Sequence, residues 1–154
     1  MKTKGKVVIA LGGNALQSKE SEPSAEAQLE LVKKTCGHIA EIISAGYDIA
    51  LVHGNGPQVG RIVLAGEAAK DVVPPMPFDV CGAMSQGYIG YHLQQALGDT
   101  LRNHRQDMPV ATVITQMVVD KDDPAFLKPT KPIGPFYNEE EALQIEKEKG
   151  YIMK

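Results

Sequence analysis

Lys6–Leu11 (KVVIAL) is a continuous apolar run rich in β-branched residues, and it ends at Gly12-Gly13. That pattern predicts a short strand buried on both faces. Ser18–Ser24 is polar, contains Pro23 and predicts a loop. From Ala25 the period changes. Leu29, Val32, Cys36, Ile39 and Ile43 recur at steps of three and four, which predicts an amphipathic helix. Gly46 stands where a helix C-cap glycine belongs. Asp48–His53 (DIALVH) predicts a second buried strand, followed by Gly54-Asn55-Gly56-Pro57 and a helix from about Gln58. Val72–Pro77 (VVPPMP) cannot be regular structure. Phe78 to about His104 predicts a long helix, weakened by Gly82, Gly87, Gly90 and Gly98. Val110–Val119 (VATVITQMVV) predicts a third strand, the longest. Asp120–Tyr137 holds four prolines and predicts an excursion out of the sheet layer. Asn138 caps a last short helix, roughly Glu139–Lys149.

Strands alternating with helices imply an α/β fold with a parallel sheet and right-handed crossovers. Three buried parallel strands would leave long apolar edges open. The chain stops at Gly150–Lys154, just where a new strand could begin, so the sequence reads as unfinished.

Composition changes this picture little. The 154 residues are 43% hydrophobic and 23% charged, close to the globular average, which argues for a packed core. The formal charge is −3, from 16 basic and 19 acidic residues. No segment gathers Lys and Arg, so nothing points to nucleic acid. Glu139–Glu141 opens the last helix, where the helix dipole favours negative charge. Cys36 and Cys81 have neither metal-ligand spacing nor a disulfide framework and read as buried thiols of a reducing compartment. The apolar run Val7–Leu11 is too short for a signal peptide or a membrane span. The expectation is a soluble, cytoplasmic protein.

Candidate chemistry lies at the strand ends. In open α/β sheets ligands bind beyond the carboxyl ends of the strands. Gly12-Gly13-Asn14 follows the first strand, and Gly54-Asn55-Gly56-Pro57-Gln58-Val59-Gly60 follows the second. Glycines let backbone N–H groups approach an anion closely. One Gly-Gly alone could as well be an ordinary tight turn. Two glycine-asparagine loops at neighbouring strand tips are harder to dismiss and could form facing anion cradles. The spacing Gly54-x-Gly56-x-x-x-Gly60 is one residue too long for a dinucleotide fingerprint, and no Gly-Lys-Ser/Thr makes it a P-loop. His53 abuts the second loop and reads as a structural hydrogen-bonder before a catalytic base. Lys128-Pro129-Thr130-Lys131-Pro132-Ile133-Gly134 holds two lysines among prolines. A stiffly held cation can neutralise a transferring phosphoryl group, although composition alone favours a solvated loop.

Val7–Ala15 (VVIALGGNA), His53–Gly60 (HGNGPQVG), Met84–Gly90 (MSQGYIG) and Pro129–Phe136 (PTKPIGPF) closely resemble the carbamate kinases, members of the amino-acid kinase superfamily. The motifs occur in order through essentially the whole chain. The resemblance implies a three-layer α/β/α fold with a mainly parallel sheet, incomplete at the C-terminus. It implies that 1–154 is an N-terminal carbamate- and phosphoryl-binding domain with 120–138 as a protruding subdomain. The reaction implied is reversible: carbamoyl phosphate and ADP give ATP and carbamate, with Mg²⁺ on the nucleotide, in arginine catabolism or a related route. Gly12, Gly13 and Asn14 would hold the moving phosphoryl group, and Gly54, Asn55 and Gly56 the carbamate end. Lys131 matches the family's lysine on the protruding subdomain. Ser85 and Gln86 would make weak substrate contacts. No residue of this chain is expected to ligate a metal, and a homodimer is expected.

The chain departs from the family in length. Carbamate kinases are about twice as long, and their C-terminal half carries the nucleotide pocket and a second lysine. Two readings stay open: part of a carbamate kinase, inactive alone, or a non-catalytic module that binds carbamoyl phosphate or another anion, or only dimerises. A nucleotide-binding Rossmann domain is weakened by the glycine spacing.

Overall fold

The computed structural model describes residues 3–16, 24–133 and 137–153, without the side chain of Asn14. Most of the loop expected over Ser18–Ser24 and the end of the Pro129–Phe136 motif lie outside the described residues. The chain divides into two compact units, Met1–Asn55 with Gly82–Ile114, and Gly56–Cys81 with Thr115–Lys154.

The first unit is built on two parallel strands, β1 (Gly5–Leu11) and β2 (Tyr47–His53), paired in register from Gly5↔Tyr47 to Leu11↔His53. A one-turn helix α1 (Gly13–Leu16) follows β1, and the long helix α2 (Ala25–Ser44) makes the crossover to β2. Ser24 caps α2 by accepting from the Ala27 N–H at 3.1 Å, which satisfies one donor of the first turn. Of the apolar stripe read from the sequence, Val32, Cys36, Ile39 and Ile43 are buried, joined by Ala40, and Leu29 is half-buried against them. Gly46 has φ 98° and its N–H returns to the Ile43 carbonyl. This left-handed conformation is easy for glycine and costly for other residues.

The core of this unit joins α2 to the long helix α4 (Phe78–Asn103), with Ile89, Leu93, Ala96, Leu97 and Leu101 meeting the α2 stripe, Leu11 and Leu16. Each such leucine, isoleucine or valine contributes about 1.5–3 kcal/mol when fully buried. Gln28, polar and buried in the same layer, accepts from the Tyr88 hydroxyl at 3.4 Å.

Two sequence expectations are corrected here. The strands are not buried on both faces. Burial alternates along each, and Val8 on β1 and Val52 on β2 are 69% and 50% exposed. The helices of the unit cover one face only, so the other stays open. The second correction concerns Val110–Val119, which joins no ladder among the described residues. Its start packs on α4 instead. The Gln94 amide donates to the Val110 carbonyl at 2.8 Å, and Thr112 lies directly against Gly90.

In the second unit, α3 (Gly56–Ala68) starts two residues earlier than its sequence pattern predicts. A connector with three prolines follows, as expected. A short 3-10 turn spans Pro124–Phe126, and α5 (Glu139–Lys149) completes the unit. Asn138 and Glu141 form a capping box, and Gly150 closes α5 with φ 67°. Among the described residues no helix is long and apolar enough to cross a membrane.

Candidate functional site

Because Leu11 faces His53 in the ladder, Gly12 and Gly54 leave the sheet side by side. The Gly54 N–H donates to the Leu11 carbonyl at 3.2 Å and fastens the two exits together. Gly12 and Gly13 are exposed, and Gly13 opens α1 directly. The Thr35 hydroxyl donates to the Ala15 carbonyl at 3.3 Å, which ties this turn to α2.

The second loop is held from α4. The Asn55 Nδ2 donates to the Ser85 hydroxyl oxygen at 2.7 Å, and that hydroxyl donates to the Gly82 carbonyl at 2.6 Å. Ser85 is fully buried. Its hydroxyl is therefore spent on orienting Asn55, and Gln86 beside it is half-buried. His53 Nδ1 lies 3.0 Å from the Gly54 carbonyl. A carbonyl can only accept, so this nitrogen carries the proton, in keeping with the structural reading of His53.

Glycine at these loops is not explained by the fold. Gly12, Gly13, Gly54 and Gly56 are absent from the glycines with positive φ. A Cβ added at any of the four would meet nothing within 4 Å. Two other glycines show the contrast. Gly46 is required by its φ, and at Gly90 an added Cβ would stand 2.2 Å from Thr112 Cγ2. At the four loop positions neither backbone conformation nor internal packing excludes a side chain. What glycine provides there is bare, approachable backbone in open space, the property an anion cradle needs.

The other expected residues belong to the second unit. Gly56 is the first residue of α3. Lys131 is exposed and lines a cavity of ≈ 400 Å³ with Val63 and Leu64 of α3, Ile133, Tyr137 and Tyr151. No carboxylate of the described residues pairs with Lys131. This cavity is not legible in the sequence, because its walls come from segments far apart in the chain. The placement of the Asn14 side chain lies outside the described residues. So the structure brings together Gly12, Gly13, Gly54, Asn55 and Ser85 in one unit, and sets Lys131 among apolar and tyrosine side chains in the other.

Among the described residues no three His, Cys, Asp or Glu side chains come together as a metal site. Of the two cysteines, burial pushes the Cys36 thiol up to about 11, which keeps it protonated and inert at neutral pH. The Cys81 thiol is buried and lies 3.4 Å from the Met76 carbonyl.

The profile of the amino acid kinase family matches residues 5–139. The chain is 54% identical over 152 residues to the carbamate kinase of Pyrococcus furiosus and 51% identical over 152 residues to that of Clostridium perfringens. Each match covers 97% of this chain and 48% of the relative. The chain thus spans about half the length of the curated relatives it matches. Among solved structures, carbamate kinase from Giardia lamblia bound to citric acid superposes with a TM-score of 0.91 at 42% identity, covering 99% of this chain and 49% of that one. The same enzyme bound to AMP-PNP gives 0.80 at 42% identity, covering 97% and 47%.

Proposed function

This chain belongs to the amino acid kinase family, and from that premise we propose that it is the carbamate- and phosphoryl-gripping part of a carbamate kinase. The sheet and helices are those of the amino-acid kinase fold. The observation that carries the proposal is that Gly12, Gly13 and Gly54, which neither φ nor packing requires, stand at adjoining strand ends fastened by the Gly54 N–H on the Leu11 carbonyl.

In the proposed reaction, an ADP phosphate oxygen attacks the phosphorus of carbamoyl phosphate, and the bond to the carbamate oxygen breaks. Carbamate leaves as an oxyanion, so neither direction needs a general base. The work is alignment and neutralisation of charge on the equatorial oxygens. Backbone N–H groups of Gly12 and Gly13 would face the phosphoryl group. Gly54, Asn55 and Gly56 would hold the carbamate end. Ser85 acts through Asn55 and is a positioning residue, while Lys131 would supply positive charge. Asn14 and Gln86 are assigned to the same substrate by resemblance alone. Mg²⁺ would arrive on the nucleotide. The described residues offer it no cluster of three His, Cys, Asp or Glu side chains. The reading extends to a cytoplasmic homodimer in arginine catabolism and to 120–138 as a protruding subdomain.

The test mixes the purified chain with ADP, Mg²⁺ and carbamoyl phosphate and follows ATP. ATP formation that Lys131→Ala lowers by orders of magnitude, with the far-ultraviolet spectrum unchanged, supports the full assignment. Turnover within about twofold of the parent removes Lys131 from the mechanism, since loss of one transition-state donor costs ~10²-fold or more. Carbamoyl-phosphate binding without ATP fits both a kinase part inactive alone and the non-catalytic anion-binding module, and no binding at all contradicts the proposal.

A further inference from the structure

The cavity around Lys131 does not match the substrate proposed for the glycine loops. Carbamoyl phosphate is polar over its whole surface. The walls here are the side chains of Val63, Leu64 and Ile133 with the rings of Tyr137 and Tyr151, and most of the lining is apolar. One cation, Lys131, stands among them without a carboxylate partner in the described residues. A volume of ≈ 400 Å³ lies in the range of small-molecule sites, which pair an apolar lining with a few polar groups that fix orientation.

We propose that this cavity binds a small organic monoanion with an aromatic or branched apolar body, its carboxylate on the Lys131 ammonium and its body against α3 and Ile133. Charge complementarity fixes the sign of the ligand. A dianion or a wholly polar anion would have to desolvate charge against apolar walls with Lys131 the one cation among the lining residues, Lys149 lying over the Tyr151 ring at 6.0 Å. A neutral apolar molecule would leave the ammonium without its anion. The tyrosine rings supply flat apolar surface, and their hydroxyls offer polar ends to a ligand rim. Occupancy engages Lys131, so the ligand is inhibitory. That last clause rests on the role proposed above for Lys131, whereas the binding itself does not.

The test reads binding directly, so its outcome is independent of whether the chain turns over. Phenylacetate is titrated into the ¹⁵N-labelled chain, with phenylacetamide and acetate as controls for the charge and for the apolar body. The proposal expects saturable shifts for phenylacetate at Val63, Leu64, Ile133 and Tyr137. Phenylacetamide and acetate each bind at least about tenfold more weakly, the loss of one charge-assisted contact or of the buried ring. Lys131→Met weakens phenylacetate by the same order. Ile133→Glu, at an exposed loop position where the fold tolerates charge, abolishes it. No saturable shift with phenylacetate, equal affinity for phenylacetamide, or unchanged affinity in either variant overturns the proposal.

Discussion

At the residue scale, the second glycine loop is held in place by a buried hydroxyl on α4. Ser85 is fully buried and accepts from Asn55 while donating to Gly82. Ser85→Ala strands the half-buried Asn55 amide, at a cost of about 1–3 kcal/mol. Thermal denaturation should show that loss, and carbamoyl phosphate should bind more weakly because Asn55 is no longer aimed. Unchanged affinity would make the bond structural only. Cys36 gives a pH signature. Its thiol sits at about 11 in the folded chain against 9.0 for a free one. The unfolded chain therefore releases this proton first. Stability is full below pH 9, falls as pH rises through 9 to 11, and then levels. Two units of difference correspond to about 2–3 kcal/mol at most. Cys36→Ala should flatten that part of the stability–pH curve, and an equal slope in both proteins would count against the thiol. The burial of Cys36 was legible from its place in the α2 stripe, whereas the Asn55–Ser85 bond was not, since it joins residues brought together from afar. The loop glycines were legible because their spacing relative to two apolar runs is local.

At the element scale, α2 and α5 were legible for the same reason. A step of three and four marks the buried stripe of α2, and Gly46 and Asn138 mark ends by their own backbone chemistry, while the caps made by Ser24 and Gly150 came to light only in the structure. Val110–Val119 misled because β-branched residues record a preference for a pleated surface, while a strand needs a neighbour to bond. The apolar runs of β1 and β2 misled in a related way, since a continuous run does not tell whether both faces are covered. The glycines of α4 divide by tertiary context. Gly82 and Gly87 have open space where a Cβ would sit, whereas Gly90 meets Thr112. Gly87→Ala should raise the melting temperature, as a mid-helix glycine costs about 0.5–1 kcal/mol relative to alanine. Gly90→Ala should lower it, because overpacking costs about 1–3 kcal/mol. Equal effects of the two substitutions would refute the close crossing at Gly90.

At the scale of the whole molecule, the chain covers about half the length of its relatives and leaves apolar side chains in water. In the first unit these include Val8, Val52 and Val113, and in the second Met117 and Val118, the last 98% exposed. Exposed strand-forming residues of this kind favour association. The bare backbone at Gly12, Gly13, Gly54 and Asn55, exposed or half-buried at the strand ends, is proposed as the cradle of the carbamoyl phosphate anion. The most direct measurement follows the backbone amide resonances of those four residues while carbamoyl phosphate is titrated into the ¹⁵N-labelled chain, with chloride at equal ionic strength as control. Concerted, saturable shifts at all four amides, absent with chloride, are the predicted result. Shifts absent from these four, or matched by chloride, would contradict the claim.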